Sequence, residues 1–356
     1  MKSVEESALL DAESMPMVAE LVQRVSADRP VVVHAQTSQD NPSRLKLVIC
    51  GREYPGWFSD LCGSVTLQNL DIREGVAVSR AADLSERLAS DLPGTLTILT
   101  VRRPSDGRLE AAIPDAESLA ASLQELMSQI ADEVSRGSAD QVRAELMEGF
   151  CRHIASQDRS ESGKPEINIQ LDDLPDTEHL QVVVTGTDSP GVLFELANSL
   201  RVSGFRIHRA QITSGDSAIS DRLTVTEFDG SPIHSDSRRF ELENTVALIR
   251  RFMRWLSSSS EPHQALQRLR GLLDQMISTE DWSQRAASLA RPEVLRVMAQ
   301  VLGISPWFWE EFLRVRHAQL FPVLEAIAQQ SAQLSQSDLR AELAAEQMPR
   351  GTDAAR

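Results

Sequence analysis

The apolar positions fall into short β-branched runs that alternate with stretches of helical spacing. The run Leu180–Thr187 has strand length. Asp188-Ser-Pro-Gly191 stops it, because proline supplies no backbone donor and glycine accepts angles that a side chain forbids. From Val192 the apolar residues Leu193, Leu196, Ala197 and Leu200 follow helical spacing, and Gly204 stands where a left-handed helix cap is expected. Residues 205–213 return as a strand, 220–228 make another, and Asp229-Gly230 turns the chain. Ser235-Asp236-Ser237 then opens a second helix through Val246, Leu248, Ile249, Phe252, Met253 and Leu256.

The same order occurs earlier in the chain. Residues 45–58 align without a gap on residues 180–193 at an offset of 135. Gly51 falls on Gly186, Pro55 on Pro190, Gly56 on Gly191, Leu61 on Leu196 and Ile72 on Ile207. These are turn residues and apolar positions, the ones that backbone geometry dictates. The first copy reads as a strand over 45–50, a helix over about 57–69, and strands near 72–79 and 95–101 separated by a polar insert around 81–93. Two helices follow, one through Leu119, Leu123, Leu126 and Ile130, the other through Val142, Leu146 and Phe150. With residues 166–170 as its fourth strand, the first copy is a ferredoxin-like split β-α-β unit. The pattern therefore predicts an α+β chain: two ferredoxin-like βαββαβ domains followed by an all-α helical segment. The expected boundaries are a helical lead over 1–29, a first domain over 30–172, a second over 173–260, and a helical region over 261–356 ending in a disordered tail.

Asp188-Ser-Pro-Gly-Val-Leu193 resembles the D-x-P-G-x-L turn of ACT domains, small modules that bind amino acids in metabolic control. The stretch over 166–233 resembles the tandem ACT pair that ends the bacterial PII uridylyltransferases. The first copy departs from the motif, with Arg52-Glu-Tyr-Pro-Gly56 where the aspartate would be. The resemblance implies ligand contacts at Asp188, Ser189, Pro190, Gly191, Val192 and Leu193, and in the first copy at Glu53, Tyr54, Pro55, Gly56 and Trp57. It also implies a homodimer through paired ACT sheets.

Beyond Glu261-Pro262 the pattern is helical. One apolar stripe runs through Leu266, Leu269, Leu272, Leu273 and Met276, and another through Val294, Leu295, Val297, Met298, Val301 and Leu302. Ser305-Pro306 places an N-cap residue before a first-turn proline and opens a helix with Trp307, Phe308 and Trp309. Residues 291–314 resemble the helical start of glutamine synthetase adenylyltransferases. Such transferases need a glycine-serine turn followed by closely spaced metal-binding aspartates. Gly137-Ser138-Ala-Asp140 stops short of that arrangement, and Gly351-Thr-Asp353 lies at the very end. ATP and magnesium are accordingly expected only with an attached catalytic core, and no cofactor or metal ligand is assigned here.

The turn at Asp188 carries its own chemistry. A helix N-terminus exposes N–H groups and a partial positive charge that suit a ligand carboxylate, while Asp188 can accept from an ammonium or cap the helix. Strand-to-helix geometry alone would also require its proline and glycine. Composition narrows the partners. A formal net charge of −16 argues against nucleic acid, which needs a basic surface. No apolar run reaches the ~18–20 residues of a membrane span, so a cytoplasmic location is expected. Cys50, Cys62 and Cys151 lack metal-ligand spacing, and the seven histidines include no i, i+4 pair. Three readings result: a regulatory amino-acid sensor, glutamine favoured, forming the N-terminal part of a glutamine synthetase adenylyltransferase-like protein with glutamine synthetase or the PII protein as partner; an active nucleotidyltransferase acting on either; or an oligomerisation module without ligand.

Overall fold

In the computed structural model the described residues are 14–38, 41, 43–79, 94–103, 115–156, 167–174, 177–189, 191–214, 218–277, 282–304 and 326. The chain divides into a unit over 1–257 and a unit over 258–356.

The first unit is built on one eight-stranded sheet. Its strands are β1 (Val31–Thr37), β2 (Arg44–Arg52), β3 (Asp71–Ser79), β4 (Gly94–Arg102), β5 (Ile167–Asp173), β6 (Leu180–Thr187), β7 (Phe205–Thr213) and β8 (Ala218–Glu227). They lie in the order β1-β2-β4-β3-β7-β8-β6-β5, and every neighbouring pair is antiparallel. Among the described residues six helices accompany them: α1 (Ser14–Arg24), α2 (Trp57–Leu67), α3 (Ala116–Arg136), α4 (Ala139–Ser156), α5 (Val192–Val202) and α6 (Asp236–Met253).

This corrects the expectation of two separate ferredoxin-like βαββαβ domains with an all-α segment behind them. The strand order is the same repeated motif on either side of a seam, but the seam is itself a strand pair. Glu74–Val78 of β3 pairs with Arg209–Thr213 of β7, so each half supplies the edge partner the other lacks. The order within each half is also different from the one expected. The strand next to β2 is β1, which precedes it, and the strand next to β6 is β5. Each half thus reads ββαββ before its last helices. Residues 167–173 belong beside the second half, because a short loop lets β5 and β6 pair locally as a hairpin.

Strand alternation explains where the helices go. Leu45, Leu47 and Ile49 of β2 face one side and are fully buried on the face that α3 covers. The opposite face of the first half carries Val32, Val48, Cys50, Leu96 and Ile98, and α1 covers it with Val18, Leu21 and Val22. The corresponding face of the second half is polar, with Gln181 and Thr185 on β6 and Arg222 on β8 exposed or half-buried. It therefore needs no such cover.

The helix α2 packs on α5 across the seam by an approximate two-fold rule. Ser59 Oγ donates to Asn198 Oδ1 at 3.4 Å, and the positions that the 135-residue offset relates to these two, Phe194 and Gly63, also meet. A Cβ on Gly63 would stand 2.8 Å from the Phe194 ring. Phe150 of α4 closes this core edge-on to Phe194, with ring centroids 5.0 Å apart.

The second unit's described residues form α7 (Pro262–Met276), α8 (Trp282–Leu289) and α9 (Pro292–Ile304). Leu266, Leu269, Leu273, Val294, Leu295, Met298 and Leu302 form its buried side. Arg268 spans α7 to α9 by donating to the Leu302 carbonyl at 2.5 Å, which satisfies an end-of-helix acceptor. The helix expected from Ser305-Pro306, the aromatic cluster at 307–309, the polar insert at 81–93 and the C-terminal tail lie outside the described residues, apart from residue 326.

Candidate functional site

Both strand-to-helix turns adopt one conformation. Gly56 precedes α2 at φ 94° and Gly191 precedes α5 at φ 78°, in the left-handed region that a side chain strains. Neither helix start has a side-chain cap. Asp188 is therefore not a helix cap, and Pro190 lies outside the described residues. The Val192 N–H, one of the donors expected to meet a ligand, bonds instead to the Ser189 carbonyl at 3.1 Å.

Each turn's acid is held by an arginine from the opposite half. Asp188, after β6, pairs with Arg73 of β3, and Glu53, after β2, pairs with Arg206 of β7. All four side chains are largely buried, which makes these charge-assisted bonds strong and costly to break singly. The first turn of each helix carries a second acid at equivalent positions, also clamped by arginine. Arg143 of α4 grips Asp60 with its Nε and Nη2 (3.2 and 2.9 Å) and donates to the Pro55 carbonyl at 3.1 Å. Arg254, just past α6, donates to Glu195 at 3.2 Å and reaches the Ser189 hydroxyl at 3.4 Å. Glu195 is fully buried.

Two small cavities flank the seam at pseudo-equivalent places, each of about 10 Å³, room for one water molecule. One lies by the Glu53 turn, lined by Trp57, Phe58, Ala77, Ser79, Thr97 and His208 among others. The other lies by the Asp188 turn, where the equivalent positions are Val192, Leu193, Ile212, Ser214 and Asp221, joined by Thr66, Leu70 and Asp71. Their chemistry differs. At the first turn Trp57 fills the space, 3% exposed and edge-on to Tyr54 at 5.4 Å. Tyr54 is buried beside Asp60, and burial chiefly raises its hydroxyl pKa. Arg201 reaches over Gly56, bonded to Asn198 Oδ1 at 2.7 Å, and burial pulls its pKa down to about 10.

At the second turn the lining is acidic. Asp71 and Asp221 border the cavity, Asp188 interacts electrostatically with both, and Arg73 and Arg102 are the facing cations. Arg73 lies 3.4 Å and Arg102 3.6 Å from Asp71. Burial, and then Asp188, push the Asp71 carboxyl up to about 6 against the pull of both arginines. Burial likewise pushes Asp221 up to about 7, opposed by the Thr213 N–H that donates to it at 3.0 Å and reinforced by Asp188.

The sequence pattern singled out the two turns but missed Asp71, Arg73, Arg206 and Asp221. For Asp221 a signal existed: in Ile219, Asp221, Leu223, Val225 it occupies the apolar register of an alternating strand. The seam arginines had no local signal, because their partners lie in the other half.

Gly137-Ser138-Ala-Asp140 is the turn between α3 and α4, with Gly137 as a left-handed cap. His208 Nε2 lies 2.8 Å from Thr226 Oγ1, and its ring stacks on His179 at 5.0 Å. All three cysteines are buried with raised thiol pKa, about 12 for Cys50 and Cys151. Among the described residues no group of three or more His, Cys, Asp or Glu is placed to hold a metal ion, and no helix is long and apolar enough to cross a membrane.

The class that fold and site define is a pseudo-symmetric eight-stranded antiparallel sheet with acid–arginine pairs across its seam. Comparison with protein-family models, with curated proteins and with solved structures finds no match to this chain.

Proposed function

We propose that the unit over 1–257 is a regulatory amino-acid sensor in nitrogen metabolism, of the kind that would govern a glutamine synthetase adenylyltransferase-like enzyme, and that its ligand binds at the Asp188 turn. The observation that carries this reading is the difference between the two seam cavities. The two cavities are equally small, but the one by the Glu53 turn is walled by Trp57, Thr97 and His208, whereas the one by the Asp188 turn is edged by the carboxyls of Asp71 and Asp221 and by Ser214. A ligand carboxylate suits the start of α5 and its ammonium suits Asp188. A cavity of about 10 Å³ admits one water, so an amino acid enters by parting α5 from the start of β3, with Arg73 leaving Asp188. Ligand binding is thereby coupled to the seam, which is what a regulatory signal requires.

Glutamine is the favoured ligand, and glutamine synthetase or the PII protein the favoured partner, on the strength of the resemblances. ATP and magnesium would belong to an attached catalytic core. A homodimer formed by sheet pairing would have to use β1 or β5, because β3 and β7 are already joined within the chain. Calorimetric titration of the full chain against the twenty amino acids tests the reading. Saturable binding that Asp188→Asn weakens supports it, and no binding to any of them removes it.

One observation favours a second reading. The buried Arg73–Asp188 and Arg206–Glu53 pairs and the nearly closed cavities also suit a permanent weld between halves, with no ligand. On that reading substitutions at the seam change stability alone.

A further inference from the structure

We infer that the seam beside the Asp188 turn is a proton-linked latch, closed most firmly when Asp71 and Asp221 are protonated and loosened as they ionise. The inference concerns the seam itself and holds whether or not an amino acid binds there.

The geometry comes first. Asp71 opens β3 in the first half, while Asp188 follows β6 and Asp221 lies within β8 in the second. Asp71 and Asp221 line one cavity, and each is 7% exposed or less. The charged groups facing Asp71 are Asp188, Arg73 and Arg102; Asp221 faces the charge of Asp188, the neutral Thr213 N–H and the buried Cys62 thiol, whose own pKa is raised by burial and then by Asp221. Arg73 is shared: it pairs with Asp188, lies 3.4 Å from Asp71, and approaches the Ser214 carbonyl at 3.5 Å. Three carboxylates therefore meet two guanidinium groups in a water-poor site. Asp188 is neutralised by Arg73 and Asp71 partly by Arg102, which leaves Asp221 ionising against Asp188 with a single neutral donor. Asp188 and Asp221 belong to the same half, so this charge is relieved by a proton or by the water that parting Thr66, Leu70 and Asp71 of the other half from the cavity would admit.

The sign follows. Both carboxyls titrate higher in the closed seam, at about 6 and about 7, than the ordinary value of 3.8. The closed state holds protons that the open, solvated state gives up. Their stabilising contribution is fully present below pH about 4 and is lost as pH rises through 6 to 7. Acid would strengthen this seam where ordinary salt-bridged carboxylates would weaken it.

Hydrogen exchange of the full chain, read by mass spectrometry on peptides covering β3 and β7, tests the latch. After correction for the intrinsic pH dependence of exchange, seam opening should rise about tenfold or more between pH 5 and pH 8. Peptides from β1 and β2, remote from the seam, serve as the reference. Asp221→Asn keeps an acceptor for the Thr213 N–H while removing the ionisation, and should lower opening at pH 8 about tenfold while leaving pH 5 nearly unchanged. Asp71→Asn should flatten the profile less, because it also strips Arg73 and Arg102 of a partner. Asp172→Asn, at a half-buried position on the edge strand β5, is the control and should follow the wild type. A wild-type seam whose corrected opening does not change with pH overturns the inference without any variant. So does an Asp221→Asn profile that rises with pH as the wild type does.

Discussion

The two strand-to-helix turns share backbone, glycine and acid, yet they differ in what fills the space beside them. At the Glu53 turn Trp57 and Tyr54 occupy it, and Arg143 and Arg201 reach over Gly56. At the Asp188 turn a cavity of the same small size is bordered by smaller apolar side chains together with Asp71 and Asp221. The difference traces to a few substitutions between repeats. Val192 stands where Trp57 does, and Asp221 sits at the strand position of Thr97, each paired with equivalent residues of β6 and β2. At the start of the third strand of each half, Asp71-x-Arg73 corresponds to Arg206-x-His208. Arg73 and His208 both sit at the β-bulge, where the extra residue re-aims a side chain. A repeat thus keeps its geometry while one turn becomes core and the other keeps a polar pocket.

Removal of the seam arginines should separate the two turns most strongly. Arg73 serves both Asp188 and Asp71, with side-chain exposures of 6%, 8% and 9%, so Arg73→Ala leaves two buried carboxylates without their nearest cation. It should cost about 3–5 kcal/mol. Arg206 serves Glu53 alone and is 14% exposed, so Arg206→Ala should cost less, about 2–3 kcal/mol. Urea denaturation followed by circular dichroism ranks them, and equal losses would mean that the two pairs are energetically alike.

A smaller effect is expected at the glycines. Gly191→Val adds left-handed strain and drives its Cβ to 2.9 Å from Phe150, a fully buried ring with nowhere to move. The sum should be about 2–4 kcal/mol. Gly56→Val carries the same strain, but its Cβ meets the Arg201 and Arg143 side chains, which can turn aside, so the cost should be about 1–3 kcal/mol. A larger loss at Gly56 would show that these arginines are as rigid as the phenylalanine ring.

The turns were legible because they are local. Proline, glycine and the flanking apolar periods act over a few residues, and strands β2, β6, β7 and β8 and helices α2 and α5 follow from them. The seam was not legible, because nothing within β3 or β7 says that they pair with each other. Their facing register, Val76 with Gln211 and Val78 with Arg209, combines apolar and polar residues that an isolated reading assigns to solvent or core separately. β1 was missed as a strand of the first half for a related reason. Val31-Val-Val33 is a plain β-branched run, but its role as the neighbour of β2 depends on a hairpin that precedes the repeat's recognisable part. The α1 helix was legible as helix, and its place was not, since it answers an apolar sheet face that appears only once β1, β2 and β4 lie side by side.

The finest test sets Asp188 against its counterpart Glu53. Asp188→Asn keeps an acceptor for Arg73 but removes the charge that an ammonium would seek. In the sensing reading it should weaken amino-acid binding by about 1–3 kcal/mol, roughly 5- to 150-fold. Glu53→Gln should leave affinity unchanged, because Trp57 and Tyr54 already occupy that turn. Both variants should lose some stability, since each weakens one arginine pair across the seam. Stability therefore cannot separate the two readings, and affinity can. Calorimetry on the two variants, with melting temperature recorded alongside, makes the distinction. Equal affinity in wild type and Asp188→Asn, with melting temperature lowered, would make Asp188 as structural as Glu53 and the seam a weld on both sides.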